Sequence, residues 1–464
     1  MWPGYYSKPP PILQAISCQH YIILILGQST TDGRDISLDK LRAVCHITHP
    51  LSKDLLMTSN LKTQNTAVGI VFLVVVIDLI GFGIVLPLLP LYAKHYGASP
   101  LIIGLLAISY SATQFIFSPI LGRMSDRRGR RPILLLSLVG AVIFYALFGW
   151  APSLLWLFVA RLGAGVFAAN ISTAMAYIAD MTSRENRAKG MGLIGAAFGI
   201  GFIIGPAVGG FLSQYSYNLP GYGAAVLSFC ALTLAFFKLP ESLSTRATSS
   251  TASIFRAFWQ PIQTALRQKD FVRPMLMYFL VTFAFANMQL TFPLFTQAVF
   301  NLDVKHVGYL FALSGVMSIL LQGGLIGRLS QKFGEGVLAL TGSAIYVVGL
   351  LALPFAKSVY LLVVIMGLFG LATGLTLPTL TSLLSLSADE ENQGSVLGVS
   401  RSVGTLARIL GPLWGGWCYG ALGLNWPFWT AGIVSFAAII FGWSLRTIKP
   451  VSASKIKLPA EIAG

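Results

Sequence analysis

Gly122-Arg123-Met124-Ser125-Asp126-Arg127-Arg128-Gly129-Arg130-Arg131 sits between two apolar runs, each long enough to cross a bilayer. Five arginines, one aspartate and two glycines are packed into this stretch. Further along, Gly327-Arg328-Leu329-Ser330-Gln331-Lys332-Phe333-Gly334 repeats the pattern in worn form, again between two apolar runs. A charged hinge that occurs once in each half of a hydrophobic chain predicts an internal duplication in a membrane protein.

The composition agrees. Of 464 residues, 55% are hydrophobic and only 10% charged, too little charge to cover a soluble surface. Lipid is the alternative solvent, and helices are the expected spans because β-barrel strands would be short and alternating. The 47 glycines suit close helix contact in a membrane. A net charge of +16 raises the question of nucleic acid. The basic residues, however, cluster in short loops between apolar runs, which is the positive-inside pattern and excludes a nucleic-acid partner. Cys18, Cys45, Cys230 and Cys418 have neither metal nor redox spacing, so no metal site is expected.

Twelve apolar segments follow one another. The first six cover 67–91, 101–121, 132–150, 154–178, 190–213 and 221–239; the second six cover 275–299, 307–327, 337–356, 359–385, 395–419 and 426–445. The predicted fold is therefore all-α, with twelve transmembrane helices in two pseudo-symmetric six-helix bundles. The bundles are placed at 67–239 and 274–446, joined by a polar linker, 240–273, and followed by a tail, 447–464. Residues 1–66 form an N-terminal extension, either a disordered tail or a start placed too early, with Met57 as the alternative start.

Loop charge sets the orientation. Arg123 to Arg131, then Arg184, Arg187 and Lys189, the linker arginines, and Arg328 with Lys332 all fall on one side. The other side holds little beyond Lys94, Lys305 and Lys357. Both termini are predicted cytoplasmic, in a multi-pass protein of the cell membrane. The acidic Asp389-Glu390-Glu391 dissents, but acids weigh little in that rule and suit a helix N-terminus.

A second repeat supports the duplication. Gly205-Pro206-Ala207-Val208-Gly209-Gly210 matches Gly411-Pro412-Leu413-Trp414-Gly415-Gly416, and Gly192 matches Gly398 at the same offset. Parallel six-helix repeats are an architecture of secondary transporters.

With these residues the chain resembles the major facilitator superfamily, and within it the twelve-span drug:proton antiporters of the tetracycline efflux type. The loop Gly122–Arg131 resembles the superfamily's loop signature. Asp78-x-x-Gly81-x-Gly83-Ile84-x-x-Pro87-x-x-Pro90 resembles the first-span motif of the efflux proteins. Arg161-x-x-x-Gly165, and the run from Gly192 through Gly201, Gly205, Pro206, Gly209 and Gly210, resemble the fourth-span and antiporter signatures. Tetracycline exporters carry further acids in spans three and nine. Pro132–Trp150 and Val337–Ala356 contain none, so tetracycline itself is not implied.

Asp78 is the one carboxylate well inside a predicted span. A charge there is costly, faces a bundle interior or water, and is favoured in its neutral form, which suits loading and release of a proton. Helical rise places Arg161 at a similar depth as its counter-charge, and the resemblance implies a proton-relay role for it. The structural alternative is a static ion pair. Arg401 and Arg408 either snorkel or pair across the bundle. The resemblance implies that Asp126 contacts the start of span eleven, with Gly122, Arg127, Gly129 and Arg130 completing a conformational gate; plain topogenesis is the alternative. Gly201, Gly205 and Gly209 recur every four residues as a smooth packing face, and Pro206 can bend the helix. Gln114, Asn170, Asn287, Gln289 and Gln297, with Phe115, Phe198 and Phe285, are candidates for a substrate cavity, against interhelical hydrogen bonding as the plainer role.

The expected activity is export of small amphipathic or drug-like molecules against an inward flow of protons, by a monomer with no cofactor beyond the proton gradient. A metabolite or sugar carrier of the same fold is the competing reading. No Walker loop or catalytic constellation appears, so an enzyme is not expected.

Overall fold

The structure is a computed structural model that describes residues 66–168, 170–182, 187–242, 269–386 and 393–447. The N-terminal extension, most of the linker, the Asp389-Glu390-Glu391 loop and the tail lie outside the described residues.

Twelve helices are described: α1 (Thr66–His95), α2 (Pro100–Arg128), α3 (Arg130–Trp150), α4 (Leu154–Met181), α5 (Arg187–Ser213), α6 (Leu219–Lys238), α7 (Lys269–Phe300), α8 (Val304–Phe333), α9 (Glu335–Phe355), α10 (Val359–Leu386), α11 (Gln393–Ala421) and α12 (Trp426–Gly442). Ten of them are long and apolar enough to cross a membrane by length and composition, and α5 adds the apolar stretch Gly199–Ser213. Helices are forced by the solvent, since hydrocarbon offers backbone amides no partner.

Irregularities have local causes. α1 turns at Leu86 and Pro87, where proline cannot donate, and resumes at Leu88–His95. α4 is helical over Leu154–Val166 and again over Asn170–Met181. α8 passes through a π-helical stretch, Leu321–Leu325, around Gly323 and Gly324. Outside the spans, Asp303 caps α8 by accepting from His306 N at 3.0 Å.

The packing repeats between halves. α2 packs on α4 and α3 on α6, as α8 packs on α10 and α9 on α12. α5 lies against α1, and its equivalent α11 lies against α7. Two further contacts, α5 with α8 and α2 with α11, join the bundles and obey the same symmetry.

That seam is closed at the end opposite the arginine loop. A Cβ on Gly104 of α2 would stand 2.9 Å from Pro412 O of α11, and one on Gly210 of α5 would stand 3.0 Å from Lys305 O. Lys94 Nζ donates to Gln297 Oε1 at 2.9 Å across this end. Beneath it a single buried cluster takes Tyr92 and Phe148 from one half and Phe292, Phe295 and Phe428 from the other. Toward the arginine loop α5 and α8 stay in contact as far as Gly199 and Ile319, and beyond that point Gly323, Gly324 and Gly327 of α8 have no neighbour at their Cβ positions.

Candidate functional site

Asp78 and the break in α4 form one unit. Gly165 fits against α2 so closely that a Cβ would collide with Thr113 Oγ1 and Tyr110 O. Just beyond it the helix lapses, freeing carbonyls that need donors in an apolar medium. α2 supplies one in the break, where Gln114 Nε2 donates to Ala168 O at 3.1 Å, and Thr113 Oγ1 donates to Leu162 O one turn before it at 3.0 Å. The helix then restarts at Asn170, which is buried and donates through Nδ2 to Asp78 Oδ1 at 2.9 Å. Asp78, Tyr110, Gln114, Ser137, Tyr145 and Asn170 line a cavity of about 20 Å³ there, room for one water.

Arg161 does not pair with Asp78, contrary to the expectation from helical rise. It is 4% exposed, and its guanidinium carbon stands 4.7 Å from the centroid of the Tyr110 ring. Its Nε has no hydrogen-bond partner among the described residues. The break in α4 explains the difference: it carries Asn170 onto Asp78, while Arg161 remains in the preceding helical stretch over the ring. Tyr110 in turn lines the same small cavity as Asp78. The site is thus a lone carboxylate, a lone guanidinium and an aromatic ring between them, beside a water-sized space. Such a carboxylate can change protonation without an ion pair having to break.

The arginine loop forms a second centre. Arg130 donates to Ser125 Oγ at 2.8 Å, to Asp180 Oδ2 at 3.0 Å, and to Asp126 Oδ1 in an i,i+4 ion pair. Gly129 takes φ +109°, and a Cβ there would run into the Glu241 carboxylate. Glu241 accepts from the first amides of α3, Arg130 N at 2.8 Å and Arg131 N at 3.2 Å. An anion on a helix N-terminus is favourable twice, through the free amides and through the dipole. Tyr177 Oη donates to Pro240 O at 2.8 Å, so α4 and the end of α6 close on the loop.

Asp126 meets Arg130, and the contact expected with the start of α11 lies outside the described residues. Arg127 is exposed and makes no ion pair among the described residues, and Gly122 has open space where a side chain would stand. Asp180, Tyr177 and Glu241 escaped the sequence reading. The available signal was an acid just beyond a span end, opposite a basic loop.

The glycines of α5 serve two neighbours. Gly201, Gly205 and Gly209 pack on α1, where a Cβ on Gly201 would stand 2.6 Å from Leu79 Cβ and one on Gly205 2.6 Å from Gly83 Cα. Gly210 instead faces Gly308 of α8, whose own Cβ would stand 2.5 Å from Pro206 O. The side-chain surroundings of Gly192, Phe198 and Arg401 lie outside the described residues.

Two of the cavity candidates lie elsewhere. Asn287 is 0% exposed and donates to Pro427 O at 3.0 Å, tying α7 to α12 inside one bundle. Gln297 holds Lys94 at the closed end of the seam. Gln114 and Asn170 join the Asp78 centre; Gln289 is half-buried on α7. Aromatic faces missed in the sequence lie near Asp78: Phe82 stands 5.4 Å from Tyr110 and 6.2 Å from Phe202 between ring centroids.

A carboxylate buried mid-span, in a duplicated bundle whose seam is closed at one end, is the setting in which relatives become informative. The family model described as Major Facilitator Superfamily matches residues 71–412 and 275–462. The chain belongs to the Major Facilitator Superfamily. It is 30% identical over 409 residues to the class H tetracycline resistance protein of Pasteurella multocida, covering 85% of this chain and 100% of that one. It is 29% identical to multidrug resistance protein 2 of Bacillus subtilis (strain 168), covering 82% of this chain and 96% of the relative. Among solved structures, the human organic anion transporter MFSD10 (TETRAN) superposes with a TM-score of 0.65 at 26% identity, over 82% of this chain and 99% of that one. As a member of this superfamily the protein is a multi-pass membrane transporter of small molecules, related to tetracycline and multidrug efflux proteins, and not an enzyme.

Proposed function

We propose that the protein exports small amphipathic molecules in exchange for protons, with Asp78 as the group that binds and releases the proton. The observation that carries this reading is a carboxylate held by one amide donor beside a water-sized cavity, with the Arg161 guanidinium over the ring of Tyr110, which lines that cavity. A lone carboxylate of this kind, deep in a span, belongs to proton relays. Arg161 then acts on Asp78 through space across Tyr110, stabilising its charged form when the proton leaves.

The arginine loop lies on the cytoplasmic side, as do both termini, by the positive-inside rule, and the membrane is the cell membrane. The seam is then closed outward, the state that collects cargo for export. The bundles 67–239 and 274–446 rock about this seam as a monomer, with 240–273 as a cytoplasmic linker and 447–464 as a tail. Asp126, Arg130 and Gly129, with Gly122 and Arg127 on the same loop, form the gate that stiffens one half, and the α5 signature Gly192 to Gly210 keeps the outer seam tight.

The test is exchange in proteoliposomes against an imposed pH gradient. Asp78→Asn is expected to lower gradient-driven transport at least about 100-fold, the scale for removing a proton-transfer group, while substrate exchange at zero gradient persists. Undiminished gradient-driven transport in that variant would falsify the assignment.

A further inference from the structure

A shallow groove of about 450 Å³ runs between α3 and α6 on the outer surface of the first bundle. Leu135, Leu136 and Val139 line it from α3, and Leu232, Phe236 and Phe237 from α6. Leu136, Val139, Phe236 and Phe237 are exposed, the last at 75%, so in a chain that spans the membrane this groove opens to lipid. The hydroxyl of Thr233 on its wall is already spent on Phe229 O at 2.8 Å, which leaves the lining suited to hydrocarbon. From Pro132 to Val139 the groove follows two turns of α3, about 10 Å along the helix axis.

Its polar end lies at the arginine loop. Arg131, in the first turn of α3, reaches across to α6, where Nη2 donates to Phe236 O at 2.6 Å and the guanidinium carbon stands 5.9 Å from the Phe236 ring centroid. Arg131 forms no ion pair among the described residues, and its buried Nε has no hydrogen-bond partner there. Arg130, by contrast, is held by Asp126 and Asp180. The acid beside the groove, Glu241, accepts from the Arg130 and Arg131 amides. Lys238, exposed, ends α6 one residue beyond Phe237. Each wall of the groove thus ends in a cation at the same membrane surface. The second bundle is built otherwise, because Glu335 opens α9 where Arg130 and Arg131 open α3.

We infer that this groove is a site for an anionic phospholipid: one acyl chain lies between α3 and α6 while the headgroup phosphate pairs with Arg131 and Lys238. Any lipid can lay a chain along an apolar groove, so the two cations make the choice. Basic pockets between transmembrane helices favour anionic headgroups, and a guanidinium fork matches phosphate oxygens. A zwitterionic lipid brings its own ammonium to the same two cations and gains less from them. Bound in this way, the lipid ties α3 to α6 at the end where Glu241 already joins them. The inference does not depend on proton exchange or transport direction, because the groove belongs to whichever leaflet the arginine loop faces.

Dioleoyl phosphatidylglycerol and dioleoyl phosphatidylcholine carry the same chains under different headgroups. Each is titrated into the full chain in detergent, and the lipid retained per protein is counted by native mass spectrometry. The expected result is retention of phosphatidylglycerol with an affinity at least about tenfold above that of phosphatidylcholine, two cations acting together. Lys238→Gln weakens phosphatidylglycerol about fivefold, and Arg131→Gln at least as much. Phosphatidylcholine stays within about twofold in both, which also reports that the variants are folded. Val139→Trp fills the groove with both cations in place and weakens phosphatidylglycerol to a similar degree. Arg446→Gln, beside Trp443 at the corresponding end of α12, leaves it unchanged. Equal affinity for the two lipids overturns the inference. So does an equal loss of both in Arg131→Gln and Lys238→Gln, which marks a packing role. Undiminished phosphatidylglycerol binding in Val139→Trp removes the groove as its seat, and a loss in Arg446→Gln as large as in Lys238→Gln reduces the selectivity to diffuse attraction; either result overturns the site.

Discussion

The two copies of the charged hinge solve one local problem in different ways. In each, a glycine with positive φ, Gly129 at +109° and Gly334 at +82°, ends one helix and begins the next. In each, that glycine's amide bonds back to a serine carbonyl, Ser125 O at 3.1 Å and Ser330 O at 2.9 Å. The helix that follows then needs a negative group at its N-terminus. The second half places one in sequence: Glu335 opens α9 and accepts from Ser382 Oγ at 2.6 Å. The first half has Arg130 and Arg131 at the matching place and takes its carboxylate from Glu241, beyond the end of α6. The second hinge keeps its carboxylate local, bound to Ser382 rather than to the amides of α9, and beside it runs a π-helical stretch whose glycines face open space. A borrowed cap binds α2, α3, α4 and the end of α6 into one body. The first half is thereby expected to be the stiffer of the two, an anvil against which the other moves.

The largest expected effect comes from the glycines. Gly129→Ala and Gly334→Ala both force a side chain into backbone space that costs about 1–3 kcal/mol for any residue but glycine. Only at Gly129 does the new Cβ also evict the Glu241 carboxylate, adding about 1–2 kcal/mol for the lost cap. Thermal unfolding in detergent should therefore fall further for Gly129→Ala, and transport per folded molecule should drop in that variant alone. Equal losses in both would mean that the borrowed cap holds nothing together.

The sequence carried the large scale well, for a physical reason. Span number, span ends and duplication follow from hydropathy, because lipid imposes one rule on every backbone amide. Asp78 was legible by the same rule, being a lone acid in an apolar run. Its partner was not. Helical rise alone set Arg161 beside it, but the lapse after Gly165 moves Asn170 into that place. Nothing in a single sequence announces where a helix will open, although the adjacent Thr113 and Gln114 of α2 were donors within reach of it. Asn287 and Gln297 failed as cavity residues because polarity inside a span marks a need for a partner, and the partner can lie within a bundle or across a seam.

A gentler cut separates the charge from the fold. Glu241→Ala leaves the backbone of the hinge unstrained and removes only the acceptor for two amides. Hydrogen exchange at the start of α3 should rise about tenfold, the equivalent of ~1.4 kcal/mol. Glu335→Ala should raise exchange at the start of α9 by less, about threefold, because its carboxylate binds Ser382 and acts on the α9 amides through the dipole alone, worth ~0.3–1 kcal/mol. If the second cut proves deeper than the first, the roles of anvil and moving part are exchanged.

The smallest effect tests whether the hinges matter to the seam at all. Every bond given above for the first network, among the described residues, stays within one bundle, so these bonds stiffen that bundle without holding the two together. Cross-seam holding falls instead to packed glycines and to Lys94 with Gln297, an exposed bond from a charged donor. An exposed contact of this kind is worth about 0.5–1 kcal/mol, or roughly a two- to fivefold change in the balance of closed and open states. Spin-label distances across the Lys94 end should show that shift in Lys94→Ala, and in Gln297→Ala, with no further change when both are combined. Glu241→Ala should leave the same distances where they were. A shift there as large as that from Lys94→Ala would show that the first hinge reaches across the seam, and the division of labour between the halves would have to be redrawn as a coupling between them.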